Sequence, residues 1–104
     1  MLNYTIHFSR QSKIDVYEIY NYIKYELFEP DIAKRKIKEL YFYILKLEYS
    51  AFSFKIIKID KIKGVELRKY IVKNYLVFYT VDKDKKIVDI KRIIYGKTNW
   101  LDIL

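Results

Sequence analysis

The chain has 104 residues, 52% of them hydrophobic, with no cysteine, one proline and two glycines, which excludes a disordered chain, a disulfide-stapled secreted fold and a second core of useful size. No apolar run approaches the length of a bilayer span, and the opening MLNYTIHFS lacks the basic-then-apolar order of an export signal, so a single soluble cytoplasmic domain over residues 1–104, without membrane contact, is expected. The formal net charge is +8, and it is uneven: residues 1–50 carry eight Lys/Arg against seven Asp/Glu, whereas residues 51–104 carry thirteen against six, the pattern of a surface that attracts an anionic partner.

Leu2, Tyr4, Ile6 and Phe8 alternate with polar residues and predict an opening strand. Ser9 or Ser12 then caps a helix, the latter with Asp15 as a capping-box partner, and Val16, Ile19, Tyr20, Ile23 and Leu27 form its buried stripe. Pro30 ends that helix and suits the first turn of the next, in which Ala33, Ile37, Leu40, Ile44 and Leu47 recur at four, three, four and three. Helices joined so tightly form an antiparallel hairpin. From Tyr49 to Lys63 the periodicity is weak, with Ile57 and Ile59 as the material for a short strand. Leu67 to Val72, Tyr75 to Val81 and Ile87 to Tyr95 then read as three strands with short connections, hence an antiparallel meander. The expected fold is α+β, in the order β-α-α-β-β-β, with the helical hairpin on one sheet face. Gly96 ends the last strand, and Trp100, Leu101 and Leu104 are expected to fold the tail back onto the body.

That order, taken with LRKYIVKNYLVFYTVD and IKRIIYGKTNWLDIL, resembles the RelE/ParE superfamily of toxins from bacterial type II toxin–antitoxin modules. The likeness runs from YTIHFS through DVYEIYNYI and EPDIAKRKIKEL to GVELRKYIVKNYLVFY and RIIYG, and departs between Ser50 and Gly64, where many members carry a proline and glycines. It implies a small basic toxin, wrapped by an acidic segment of a cognate antitoxin in a hetero-oligomer, that acts either on DNA gyrase, as ParE-like members do, or on messenger RNA at the ribosome, as RelE-like members do. The tyrosines Tyr17, Tyr20, Tyr41 and Tyr43 exceed what the helices need for a core and suggest a groove for that segment.

Metal-free RNA cleavage needs a group to activate the 2′-hydroxyl, cations around the phosphorane and an acid for the leaving oxygen. The candidates are Lys69, Arg68 and Lys73 on the first meander hairpin, and Arg92, Tyr95 and Lys97 at the end of the last strand. Two arginines of the nuclease branch fall on Leu76 and Thr98, and a terminal tyrosine is missing, so the resemblance favours the ParE-like branch. Each candidate also has a structural role open to it. Arg68 and Lys69 point to opposite faces by strand parity; Arg92, sharing parity with Val88, Ile90 and Ile94, suits an ion pair; Lys73 suits a solvated turn and Tyr95 cross-strand packing. His7 has no second histidine and no cysteine beside it, so neither a metal nor another cofactor is expected. The competing class is a non-catalytic nucleic-acid-binding module, in which the basic meander holds phosphates and its tyrosines stack on bases.

Overall fold

Tyr4, just before β1 (Thr5–Phe8), and Ile6 and Phe8 within it keep their alternation. The computed structural model describes residues 3–102, so Leu2 of the expected strand and Leu104 of the expected tail lie outside the described residues. Ser9 is the residue that caps α1 (Arg10–Asn21): its hydroxyl oxygen accepts from the Ser12 N–H at 3.1 Å, and the buried Ser12 hydroxyl donates back to the Ser9 carbonyl at 2.8 Å. The first turn is thereby closed from both sides, and Asp15 is released from capping for a different task.

Helix α1 passes into a π-helical turn (Tyr22–Glu26) in which the Leu27 N–H reaches the Tyr22 carbonyl at 3.3 Å. One extra residue in the turn rotates the residues beyond it by about 100°. Ile23 therefore stays in the core, while Leu27, expected on the same stripe, ends half exposed. Pro30 occupies the first turn of α2 (Pro30–Leu45), where its missing N–H costs nothing. Ala33, Leu40 and Ile44, followed by Leu47 of the short α3 (Leu47–Ser50), are almost completely buried, as their spacing predicts.

The sheet contains β2 (Lys55–Asp60), β3 (Val65–Val72), β4 (Tyr75–Asp82) and β5 (Ile87–Tyr95) in the order β1-β5-β4-β3-β2, with β1 parallel to β5 and every other pair antiparallel. Strand β2 comes from the stretch of weak periodicity. A bulge between Ile56 and Lys58 breaks its alternation, so apolar spacing gives only a faint strand signal there.

Each sheet face has its own core. On the helical side Val16, Leu40, Ile44 and Leu47 meet Tyr70, Val77, Tyr79 and Ile90. On the opposite, open side a smaller group of Leu76, Phe78 and Ile94 is covered by Leu67, Ile57 and Trp100. Trp100, in a 3-10 turn (Trp100–Asp102), folds back so that its ring centroid lies 5.3 Å from that of Phe78. Leu101 does not join it and is 70% exposed, because a single 3-10 turn can direct only one of two adjacent side chains at the sheet.

Gly96 follows β5 where the chain passes over the β3–β4 turn. Its N–H donates to the Asn74 carbonyl at 2.7 Å, and a β-carbon there would lie 3.0 Å from that same oxygen. Gly96→Ala is expected to cost about 1–2 kcal/mol, since backbone rather than a flexible side chain must give way. A denaturant melt that leaves the midpoint unchanged would show that the turn can shift freely.

Candidate functional site

The meander does not gather the six candidate side chains into one site, and Lys97, just past β5, is exposed. Arg68 stands on the helical face of β3 and is 8% exposed. Its guanidinium donates to the Phe52 carbonyl at 3.3 Å, to the Phe54 carbonyl at 2.8 Å and to Glu66 Oε2 at 3.1 Å, and lies over the Phe52 ring. The chain segment leading into β2 is thus tied to β3 by this side chain, together with the Phe54 ring stacked on Tyr70 at 4.0 Å. Beside it the Tyr79 hydroxyl, fully buried, donates to the Ala51 carbonyl at 2.7 Å; burial pushes that phenol's pKa up against the opposing pull of the Arg68 charge.

Lys69 points to the other face, as parity requires, with its ammonium 5.1 Å from the centre of the Trp100 ring. Lys73 sits in the β3–β4 turn at φ 54° and holds its ammonium 5.5 Å from the Tyr43 ring. Leu76, at the position where the nuclease branch carries an arginine, is buried in the open-face core.

Arg92 departs from its expected parity. Phe78 pairs with Arg92 but Tyr79 with Ile90, so Lys91 is an inserted residue that reverses the facing of everything after it. Val88 and Ile90 face the helices; Arg92 and Ile94 share the open face with their partners Phe78 and Leu76. From there the guanidinium reaches Asp15 of α1 with two hydrogen bonds, of 2.9 and 3.0 Å, and this carboxylate raises the Arg92 pKa. Asp15 also accepts the Ile93 N–H at 2.9 Å. Because β1 ends at Phe8 opposite Ile90, the rest of β5 has no strand on that side. Helix α1 takes the strand's place: Asp15 satisfies Ile93, and the Ser9 hydroxyl donates to the Lys91 carbonyl at 3.1 Å.

Arg92 and Tyr95 are the two candidates that one feature brings together. A groove of about 800 Å3 runs between the start of the helical hairpin and the free edge of β5, lined by Ile19, Tyr22, Leu27, Ile32, Tyr75, Arg92 and Tyr95. The tyrosines expected to form a groove on the helices do not line it. Tyr41 stacks edge-on against Phe8, Tyr43 carries Lys73 and Lys46, Tyr20 carries Lys24, and Tyr17 is exposed. Tyr22 and Leu27 enter the groove through the π-helical turn, which helical spacing alone does not reveal.

At the far end of β5, Asp89 bonds Lys91 at 2.7 Å and His7 at 3.0 Å. Burial pushes the Asp89 carboxyl up, but its hydrogen bonds to Lys91 and His7 outweigh this and hold it below the ordinary range. A carboxyl depressed on folding contributes stability above its unfolded pKa, near 4, and loses it as the pH falls through the folded value. Asp89→Asn should therefore flatten the fall in melting temperature below about pH 4; identical acid profiles for both proteins would show that Asp89 contributes nothing to it. Among the described residues no three His, Cys, Asp or Glu side chains stand close enough to hold a metal ion, and no helix is long and apolar enough to cross a membrane.

A two-helix hairpin on a five-stranded, mostly antiparallel sheet is the fold of the ParE/RelE toxins. The chromosomal ParDE toxin–antitoxin system from P. aeruginosa contains a chain that matches with a TM-score of 0.72 at 17% identity, over 93% of this chain and 100% of that one. The archaeal RelE–RelB complex from Pyrococcus horikoshii OT3 matches at 0.62 and 17% identity, over 91% of this chain and 97% of the other. The RelBE2 toxin–antitoxin complex from Mycobacterium tuberculosis matches at 0.57 and 17%, over 89% and 98%. Among curated proteins none matches this sequence. The model of the ParE toxin of the type II toxin–antitoxin system, parDE, matches residues 6–100, and the chain belongs to that family.

Proposed function

We propose that this toxin arrests growth by acting on DNA gyrase and not by cutting messenger RNA, and that its whole length works as one domain in the cytoplasm. The observation that carries this reading is the commitment of both arginines of the basic half to the fold. Arg68 is tied to the Phe52 and Phe54 carbonyls and Glu66, and Arg92 to Asp15. Lys69 is left on the open face, with Leu76 in place of the arginine that a nuclease needs to stabilise a pentavalent phosphate. The match to the ParE toxin model supports the same choice.

A cognate antitoxin neutralises the toxin by laying an amphipathic segment into the groove between the hairpin and β5. Ile19, Leu27, Ile32 and Tyr75 offer apolar seats, and Arg35 and Lys36 on its margin suit acidic residues of the segment. Two of the similar solved structures are toxin–antitoxin complexes, and the third is a chain of a ParDE system. Expressed alone, the chain should stop growth, and co-expression of a small neighbouring gene should restore it. In a ribosome-programmed translation reaction the purified toxin should leave messages intact; rapid codon-position-dependent cutting would overturn the reading.

A further inference from the structure

We infer that the open face of the sheet is a docking surface for the phosphodiester backbone of DNA, held by Lys55, Lys58 and Lys69. Lys55 and Lys69 are direct cross-strand partners, and Lys58 stands on the same face opposite Leu67. Side chains so paired have their β-carbons about 5 Å apart, and like charges facing each other there destabilise a sheet. Among the described side chains no carboxylate pairs with any of the three, whereas Arg68, Arg92 and Lys91 each have one. Lysines on an edge strand guard it against pairing with other chains. That accounts for Lys55 and Lys58 on β2, but not for Lys69, set opposite Lys55 on β3, where β2 already covers the edge and the Trp100 ring lies beneath the ammonium.

The shape of the surface selects the ligand. Neither the groove beside β5 nor a second one of about 630 Å3 near the β4–β5 turn includes these lysines. Of the apolar residues of this face, Leu76, Phe78 and Ile94 are covered by Ile57, Leu67 and Trp100, while Ile71, the partner of Leu76, stands 62% exposed beside the lysines. A peptide ligand needs pockets for its anchoring side chains, and this cationic strip lies outside both grooves. It suits a backbone of closely spaced charges, one per about 1.7 Å of duplex axis, which three cations within about 10 Å of strand can neutralise in part. The choice of DNA over RNA rests on the gyrase assignment.

Titrating a labelled 20-base-pair duplex with the purified toxin and following fluorescence anisotropy tests this. Wild-type affinity should fall about forty-fold between about 50 and 200 mM salt, the dependence that three neutralised phosphates give. The variant Lys55→Gln with Lys58→Gln and Lys69→Gln should bind at least about tenfold more weakly at the lower salt. Lys61→Gln with Lys63→Gln and Lys85→Gln, an equal change of charge in the turns, should stay within about threefold of wild type. No binding at low salt, equal losses in the two variants, a salt dependence of a single contact, or tighter binding of RNA or polyglutamate would each overturn the inference. A toxin that binds duplex through these lysines but spares gyrase refutes the gyrase assignment alone. One that inhibits gyrase without binding duplex refutes the docking surface alone.

Discussion

Asp15→Ala is expected to lower the melting temperature by roughly 15 °C, corresponding to about 3 kcal/mol. The Asp15 carboxylate, 5% exposed, is among the described residues the acceptor for both the Arg92 guanidinium and the Ile93 N–H at the free edge of β5. Its removal strands a partly buried cation and a buried backbone donor together, the combination that makes breaking an ion pair far more costly than never having formed it. Asp15→Asn should fall between the two proteins. Its amide oxygen can still accept from Ile93, but it cannot neutralise Arg92. A denaturant series in which the alanine and asparagine variants coincide would mean that the backbone contact contributes little. The loss should also appear as faster amide exchange at Ile93 than at Val77, its partner in the centre of the sheet.

Arg68→Ala is expected to cost about 3 kcal/mol, with growth arrest preserved at temperatures where the variant remains folded. Three acceptors lose their donor at once: the Phe52 and Phe54 carbonyls and Glu66. The segment they anchor also carries Ala51, whose carbonyl the buried Tyr79 hydroxyl needs, so the damage spreads into the helical-side core. The guanidinium has one imperfection, a buried Nε with no hydrogen-bond partner among the described residues. Arg68→Met, which keeps the apolar stem and leaves no charge to satisfy, should therefore be milder than Arg68→Ala by about 1 kcal/mol. A fully stable Arg68→Ala protein that no longer arrests growth would place Arg68 in the chemistry and contradict its structural role.

Much of this fold is legible in the order of residues. Leu40, Ile44 and Leu47 announce a helix by spacing and are buried as helix residues, and the strand parity of Arg68 and Lys69 separates them correctly to opposite faces. The misreadings arise at insertions. A π-helical turn after Asn21 moves Leu27 off its stripe and into the groove, and Lys91 reverses the facing of Arg92; both are one-residue events that leave the composition of the segment unchanged. Strand β2 is obscured in the same way by the bulge after Ile56. The dispersal of the candidate side chains comes from tertiary partners. Nothing near Arg92 in the sequence names Asp15, 77 positions away, as its counter-ion.

The choice of Ser9 over Ser12 as cap has the same origin. Ser9 is the residue that can also bond the Lys91 carbonyl once β1 lies beside β5, so the long-range contact decides between two locally equivalent serines. The groove, too, exists because β1 is only four residues long and leaves the end of β5 to be covered by a helix.

Gyrase supercoiling of relaxed plasmid by the purified enzyme, with the toxin added in increasing molar ratio, tests the central claim most directly. Supercoiled product should disappear as the toxin approaches equimolar amounts and return when the cognate antitoxin is added. Unimpaired supercoiling at a large excess of folded toxin, alongside message cleavage on ribosomes by the same preparation, would contradict it.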